Sequence, residues 1–132
     1  MGDNRRESLT DSELLVMKVI WHTEEALTIQ EISEKVNTVN RKMWDYKTVS
    51  VFLHHISKKG YLTKKRVGHT FYYYPLITEN DYAQQEMSQC IDTCVNTWAN
   101  GRIDFFFSTI MKTRQFSEEE KERIRRMIDG ME

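Results

Sequence analysis

The hydrophobic period of this chain changes at Gly60, and that change limits what it can fold into more than any other feature. Before Gly60 apolar residues recur at three-to-four spacing, as in helices with one buried face; from Tyr61 to Tyr74 they alternate, as in strands. Helix starts are marked by a Ser or Thr followed three residues later by an acid, a pattern in which side chain and backbone satisfy each other's orphan groups. Thr10 with Glu13, Thr28 with Glu31 and Ser117 with Glu120 carry it in full, and Thr78 with Asp81 carries a shorter variant. The first predicts a helix to about Trp21 with Leu14, Met17, Ile20 and Trp21 recurring at helical spacing. The second predicts a short helix with Ile29, Ile32 and Val36 on one face. Neither is long enough to be stable alone, so both require a shared core.

A polar stretch, residues 37–43, leads to a third helix over residues 46–59, with Asp45 as its N-cap and Gly60 in the C-terminal capping position. Val49, Leu53 and Ile56 form its inward face, with Phe52 beside them. Residues 61–67 and 70–74 predict a hairpin turning at Gly68 and His69. The aromatic run from Phe71 to Tyr74 suits the packing of a half-buried strand. Three helices and then a two-stranded hairpin is the order of a winged helix-turn-helix, in which the third helix enters a DNA major groove and the hairpin reaches a neighbouring phosphate or minor groove. Pro75, the single proline, ends the second strand. The expected fold is therefore mainly α with a small β-hairpin: a winged-helix DNA-binding domain over residues 1–77 and a helical dimerisation region over 78–132.

Charge follows the same division. The chain is nearly neutral at −1, yet residues 41–75 hold eight Lys and Arg against one acid, Asp45, a local charge of +7. A segregated basic face is an electrostatic footprint for a polyanion. The third helix is expected to present Lys47, Ser50, Val51, His54, His55 and Lys58 outward, short polar groups and cations of the sizes that approach base edges and phosphates. Thr48, with Lys42 and Trp44 before the helix and Lys64, Lys65, Arg66 and His69 on the hairpin, completes the predicted double-stranded DNA contact set.

From Thr78 onward the pattern is helical again. Tyr82, Ala83, Met87, Cys90, Ile91, Cys94, Val95 and Trp98 form a stripe, and Asn100 with Gly101 breaks it. Ile103, Phe106, Phe107, Ile110 and Met111 continue it, and Ile124, Met127 and Ile128 lie in a last helix. That is more apolar surface than a tail of this length buries by itself. It predicts a homodimer joined through Met87, Ile91, Val95, Trp98, Ile103, Phe106, Phe107, Ile110, Met111, Ile124, Met127 and Ile128. Two cysteines, no leader pattern and no apolar run near the ~18 residues of a span predict a cytoplasmic protein without membrane insertion. No HExxH, GxSxG, P-loop or Rossmann fingerprint is present, and adjacent His54 and His55 face different directions on a helix, so no catalytic site, cofactor or metal is expected.

The residues that carry a family resemblance are Leu9 to Glu13 with Val16 to Trp21, then Trp44 with Lys47, Thr48 and Val49, then Lys58 to Leu62, then Gly68 to Pro75. In these the chain resembles the penicillinase-repressor, methicillin-resistance-repressor and copper-repressor family (BlaI/MecI/CopY), over about residues 8–76. The appended helical region is similar in length and pattern. The resemblance implies a bacterial homodimeric repressor on an inverted-repeat operator, typically with TACA and TGTA half-sites. It also implies DNA contacts from a Lys-Thr pair at the start of the recognition helix, from a Thr three residues on and from an Arg four residues further. The pair is matched by Lys47 and Thr48, whereas the later positions are Val51 and His55. Valine can touch a thymine methyl but forms no hydrogen bond, and histidine lacks the bidentate reach of arginine toward guanine. These departures leave docking intact and bear on the operator sequence.

The resemblance also frames how repression is relieved. Copper-responsive members carry two Cys-x-Cys pairs, which this chain lacks. Cys90 and Cys94, four apart on one helical face, are read first as core cysteines, with metal or thiol-redox sensing as the alternative. β-Lactam-responsive members are cut at an Asn-Phe bond after a membrane-bound sensor protease is engaged. No Asn-Phe occurs here, and the equivalent bond falls near Ile110 and Met111, which makes it the candidate cleavage site in a β-lactamase or antibiotic-resistance type of regulon. The remaining rival is a protein-interaction module that does not bind DNA.

Overall fold

A computed structural model describes residues 6–131. The chain divides into two compact units, one ending at Met87 and the other beginning at Ser88. In the first, α1 (Asp11–Trp21) and α2 (Ile29–Asn40) both start at full capping boxes. Thr10 Oγ1 accepts from the Glu13 N–H at 3.2 Å while the Glu13 carboxylate accepts from the Thr10 N–H at 3.0 Å. Thr28 and Glu31 repeat the arrangement at 3.2 and 2.9 Å. α3 (Tyr46–Lys58) starts at Asp45, whose carboxylate accepts from the Thr48 N–H at 2.8 Å. β1 (Leu62–Val67) and β2 (Thr70–Pro75) pair antiparallel, from Leu62 opposite Pro75 to Val67 opposite Thr70. Gly68, at φ +66°, supplies the left-handed backbone at the turn between them.

One core unites these elements. Val16, Met17, Val19 and Ile20 of α1, Ile32 and Val36 of α2, and Val49, Leu53 and Ile56 of α3 meet Leu27, Tyr61, Leu62 and Tyr82. Each such side chain stabilises by about 1.5–3 kcal/mol on full burial, which is how three helices too short to persist alone hold one another. The Tyr73 N–H donates to the Leu27 carbonyl at 2.9 Å, tying the residue before α2 to the hairpin.

α2 runs to Asn40, into the stretch that the sequence pattern leaves as a polar connector. Arg41 closes it in the left-handed region at φ 54°. The short connection to α3 is held by Asn37, whose Nδ2 donates to the Trp44 carbonyl at 2.9 Å and whose Oδ1 accepts from the Trp44 N–H at 3.0 Å. Asn37→Ala removes both bonds from a half-buried turn and is expected to cost about 1–3 kcal/mol, read as a lower urea midpoint at unchanged slope.

α4 (Glu79–Thr93) begins at Thr78, whose hydroxyl accepts from the Asp81 N–H at 3.0 Å. Tyr82, which the sequence pattern assigns to the C-terminal stripe, is instead buried in the core of the first unit, its ring 5.3 Å from Tyr61 and 5.7 Å from Trp21. That unit accordingly runs to Met87, past the break in pattern near residue 77.

The second unit contains the end of α4, a π-helical turn (Cys94–Trp98), α5 (Ile103–Thr113) and α6 (Glu118–Asp129). Asn100 and Gly101, both at positive φ, break the chain between the π turn and α5. α6 starts at the expected Ser117 and Glu120 box. Among its described residues only Ala99 is buried. Trp98, Ile103, Phe107, Met111, Met127 and Ile128 are each about half exposed or more within the single chain. Cys90 is exposed and Cys94 half-buried, so neither is a core cysteine within one chain, a correction to the packing reading.

Candidate nucleic-acid interface

The outward side of α3 follows from its inward one. With Val49, Leu53 and Ile56 fully buried, the 3.6-residue period leaves Lys47, Val51, His54 and Lys58 in one line along the opposite side. All four are exposed. Ser50, half-buried, borders the line on one flank; His55, exposed, and Thr48, half-buried, border it on the other. At 1.5 Å per residue the line is about 16 Å long. It offers cations at both ends, an imidazole, and one apolar contact at Val51.

Before α3, Lys42 is exposed and its ammonium lies 5.7 Å from the Trp44 ring centroid. Trp44 packs on Phe52 at 5.0 Å, so this half-buried indole anchors the connection rather than projecting from it. Met43 and Tyr46, absent from the sequence-derived set, are also exposed here, Met43 almost completely. Asn37 is the residue that sequence reasoning missed; its one local signal is an amide side chain seven residues before the tryptophan it clamps.

The hairpin carries a second basic cluster. Lys64 and Lys65, on opposite faces of β1, lie over the rings of Phe71 and Tyr74 at 4.7 and 4.9 Å. Arg66 folds back on the turn, its Nε donating to the Gly68 carbonyl at 2.8 Å and its Nη2 lying 3.4 Å from His69 Nδ1. Tyr72, Tyr73 and Tyr74 are half-buried, as strand packing requires. Burial, with Tyr46 nearby, pushes the Tyr73 hydroxyl above its ordinary pKa, so this group stays neutral.

One cation counted in the basic stretch is not available to a partner. The Lys59 ammonium lies 2.6 Å from Glu13 Oε1, 3.0 Å from the Ser8 carbonyl and 3.5 Å from Glu7 Oε2. Glu13 is 3% exposed. Burial acts to raise the Glu13 pKa, but hydrogen bonds from Lys59 and from the Thr10 N–H outweigh it and hold the carboxyl below its ordinary value. His55 Nδ1 stands 3.8 Å from Glu13 Oε2, which places this imidazole between the buried acid and the outward line.

Among the described residues no group of three or more His, Cys, Asp or Glu is placed to hold a metal ion, and no helix is long and apolar enough to cross a membrane. The exposed lysines and imidazole of α3 are groups of the kinds that meet phosphates and base edges.

A family model described as penicillinase repressor matches residues 9–130. The chain belongs to the penicillinase repressor family. It is 30% identical over 121 residues to the penicillinase repressor of Bacillus licheniformis, covering 92% of this chain and 89% of that protein. It is 24% identical over 127 residues to the methicillin resistance regulatory protein MecI of Staphylococcus aureus (strain N315), covering 96% and 98%. The solution structure of the DNA binding domain of the repressor BlaI superposes with a TM-score of 0.51 at 32% identity, covering 61% of this chain and 94% of that one. The mainly helical fold with one hairpin expected from the sequence is borne out, and the penicillinase repressor family is one of transcriptional repressors, not of enzymes.

Proposed function

We propose that this chain is a homodimeric transcriptional repressor that binds an inverted-repeat DNA operator. In this reading the Lys47, Val51, His54 and Lys58 line of α3 lies in the major groove, and the β1–β2 hairpin bears on the flanking backbone. The observation that carries it is that line itself: exposed cations on one side of a helix whose other side is wholly in the core. An α-helix fits the major groove of B-DNA, lysines meet phosphates or guanine edges, and Val51 has the size to meet a thymine methyl. The structural likeness to a relative's DNA binding domain supports the same placement.

Dimerisation is assigned to the second unit. Its exposed apolar side chains, from Ile91 and Trp98 through Phe107 to Met127 and Ile128, are too many for a stable isolated surface, and a two-fold dimer presents two recognition helices to two inverted half-sites. The domain assignment that goes with this keeps a winged-helix region over 1–77 and a dimerisation region over 78–132, the first turns of the latter lending Tyr82 to the winged-helix core and the apolar side chains after Met87 being left for the partner. Relief of repression is assigned to proteolysis near Ile110 and Met111, in the last turn of α5 where helix ends fray, through a membrane-bound sensor protease in an antibiotic-resistance regulon. Loss of α6 would weaken the dimer and with it the linked second half-site contact.

The test is recovery of genomic fragments on the purified chain, followed by mobility shift at two salt concentrations. Enrichment of an inverted repeat, with affinity falling log-linearly with salt, is the expected result. Lys47→Ala is expected to weaken operator binding by about 1–3 kcal/mol with unchanged thermal unfolding. Unaltered binding by that variant would remove Lys47 from the interface, and salt-insensitive capture of protein partners without DNA would support an interaction module instead.

A further inference from the structure

The turn between α2 and α3 is shaped by the backbone and by two asparagines, and its longest side chains take no part in shaping it. The Asn37 carbonyl accepts from the N–H of Arg41 and, at 3.1 Å, from that of Lys42. Asn40 Nδ2 donates to the Val36 carbonyl at 3.0 Å, and the Asn37 amide holds Trp44 by both of its backbone groups. These bonds fix the path of residues 37–44 while Arg41, Lys42 and Met43 stay exposed.

Arg41 occupies the one residue of this turn with a left-handed backbone, at φ 54° and ψ 41°. That conformation after the last helical residue favours glycine and is disfavoured for any side chain with a Cβ. Among the described residues the Arg41 guanidinium has no hydrogen-bond or ion-pair partner, so nothing inside the described fold offsets the strain of placing an arginine there. An outlier of this kind points to a use outside the fold. Asp45, the acid of the basic stretch, is committed elsewhere, its carboxylate accepting from the Thr48 N–H at 2.8 Å at the start of α3.

A recognition helix docks with its N-terminal residues at base edges while the helix before it crosses the backbone, so the turn joining the two runs past a phosphate strand. We propose that Arg41, with Lys42 beside it, is a preorganised DNA-phosphate contact, the rigid α2–α3 turn holding a guanidinium against the strand that flanks the recognition helix. The inference rests on the repressor reading and adds to it a residue outside the α3 line and the hairpin. A guanidinium meets a phosphate by two parallel hydrogen bonds, and a turn already fixed in the free protein loses little freedom on binding. Such a contact fixes the protein on the duplex and carries no sequence information.

The experiment measures Arg41→Gly against the parent by thermal unfolding and by binding to the recovered inverted repeat and to an unrelated duplex over a range of salt. The expected results are a melting temperature equal to or above that of the parent, and affinity lower by about tenfold or more on both duplexes. The slope of log K against log salt should be shallower by about 0.9 per bound protomer, and Arg41→Lys, which keeps the charge, should retain the parent's slope. Unchanged affinity and slope in Arg41→Gly would overturn the contact, and a loss confined to the inverted repeat would make Arg41 a reader of bases and overturn the phosphate assignment. Should Arg41→Gly melt early, Arg41→Asn, which also tolerates the left-handed region, gives the same comparison; early melting of both would show that the fold itself uses Arg41 and would overturn the proposal. A parent chain that binds neither duplex would overturn the repressor reading and this contact with it, whereas a parent that binds with a steep salt slope beside an unaltered variant would overturn the contact alone.

Discussion

Glu13→Ala is expected to lower the unfolding free energy of the winged-helix unit by about 3–5 kcal/mol, the range for removing one partner of a buried ion pair. Glu13 closes the capping box of α1 through the Thr10 N–H and holds the Lys59 ammonium at 2.6 Å. Its side chain is 4% exposed and that of Lys59 14%. Truncation leaves Lys59 beside the Ser8 carbonyl with only Glu7, at 3.5 Å and largely exposed, as a counter-charge. For a domain of this size the loss corresponds to a melting temperature lower by about 15–30 °C, readable by circular dichroism. Lys59→Met combined with Glu13→Met is expected to cost less than Glu13→Ala alone, because no uncompensated charge then remains buried. A cost below about 1 kcal/mol for Glu13→Ala, the usual range of a surface pair, would show that the pair does not hold α1 to the end of α3.

The same pair sets a pH dependence. The Glu13 pKa is held below its ordinary 4.5 by Lys59 and Thr10 against the opposing effect of burial. Its contribution is therefore fully present above pH 4.5 and is lost as pH falls through the lower folded value. Burial acts to lower the Lys59 pKa, but Glu13 and then Glu7 raise it above 10.5. That contribution is present below pH 10.5 and is lost as pH rises through the folded value. Between these limits the pair contributes evenly, so acid unfolding of the parent should begin below pH 4.5 and be blunted in the double methionine variant.

The features legible in the sequence are those set within one turn of chain. Each full capping box is present because both partners lie three residues apart, and the inward line of α3 follows from period alone. The hairpin register was legible because a glycine at the turn and alternating apolar residues leave little freedom to slip. What was not legible depends on partners far along the chain. Lys59 reads as a free cation of the basic stretch until Glu13, 46 residues away, is found against it. Tyr82 fits the spacing of the C-terminal stripe, yet its ring is needed to close the core between Tyr61 and Trp21. The bonds that tie residues 6–9 to the end of α3 and to α4 carry no motif, since five of them use backbone groups that every residue possesses. Helix period likewise gives no notice of the π turn at Cys94, where the Ala99 N–H reaches back five residues to the Cys94 carbonyl at 2.9 Å.

Phe107→Asp is expected to convert the proposed dimer to monomers and so to abolish tight binding of the proposed inverted-repeat operator while leaving the fold of each chain intact. Phe107 lies in α5, is 49% exposed within the single chain, and stacks edge-on to Phe106 at 5.6 Å. The exposed ring contributes little to a lone protomer, and aspartate at a helix interior costs only about 0.7 kcal/mol. In the proposed interface the same position loses about 1.5–3 kcal/mol of phenylalanine burial in each protomer and gains a carboxylate that must be desolvated without a partner. The two-fold axis doubles both effects. A dissociation constant raised by about 10³-fold or more follows, at tenfold per 1.4 kcal/mol. Affinity for an isolated half-site should stay within twofold, because Lys47 and Lys58 are untouched, whereas the full operator should lose about 10²- to 10⁴-fold through the missing linkage. The two losses separate recognition from assembly. A dimer of unchanged mass would show that α5 faces solvent in the assembly and would move the interface to α4 or α6, while loss of half-site binding along with the dimer would show that the second unit supports the winged helix directly.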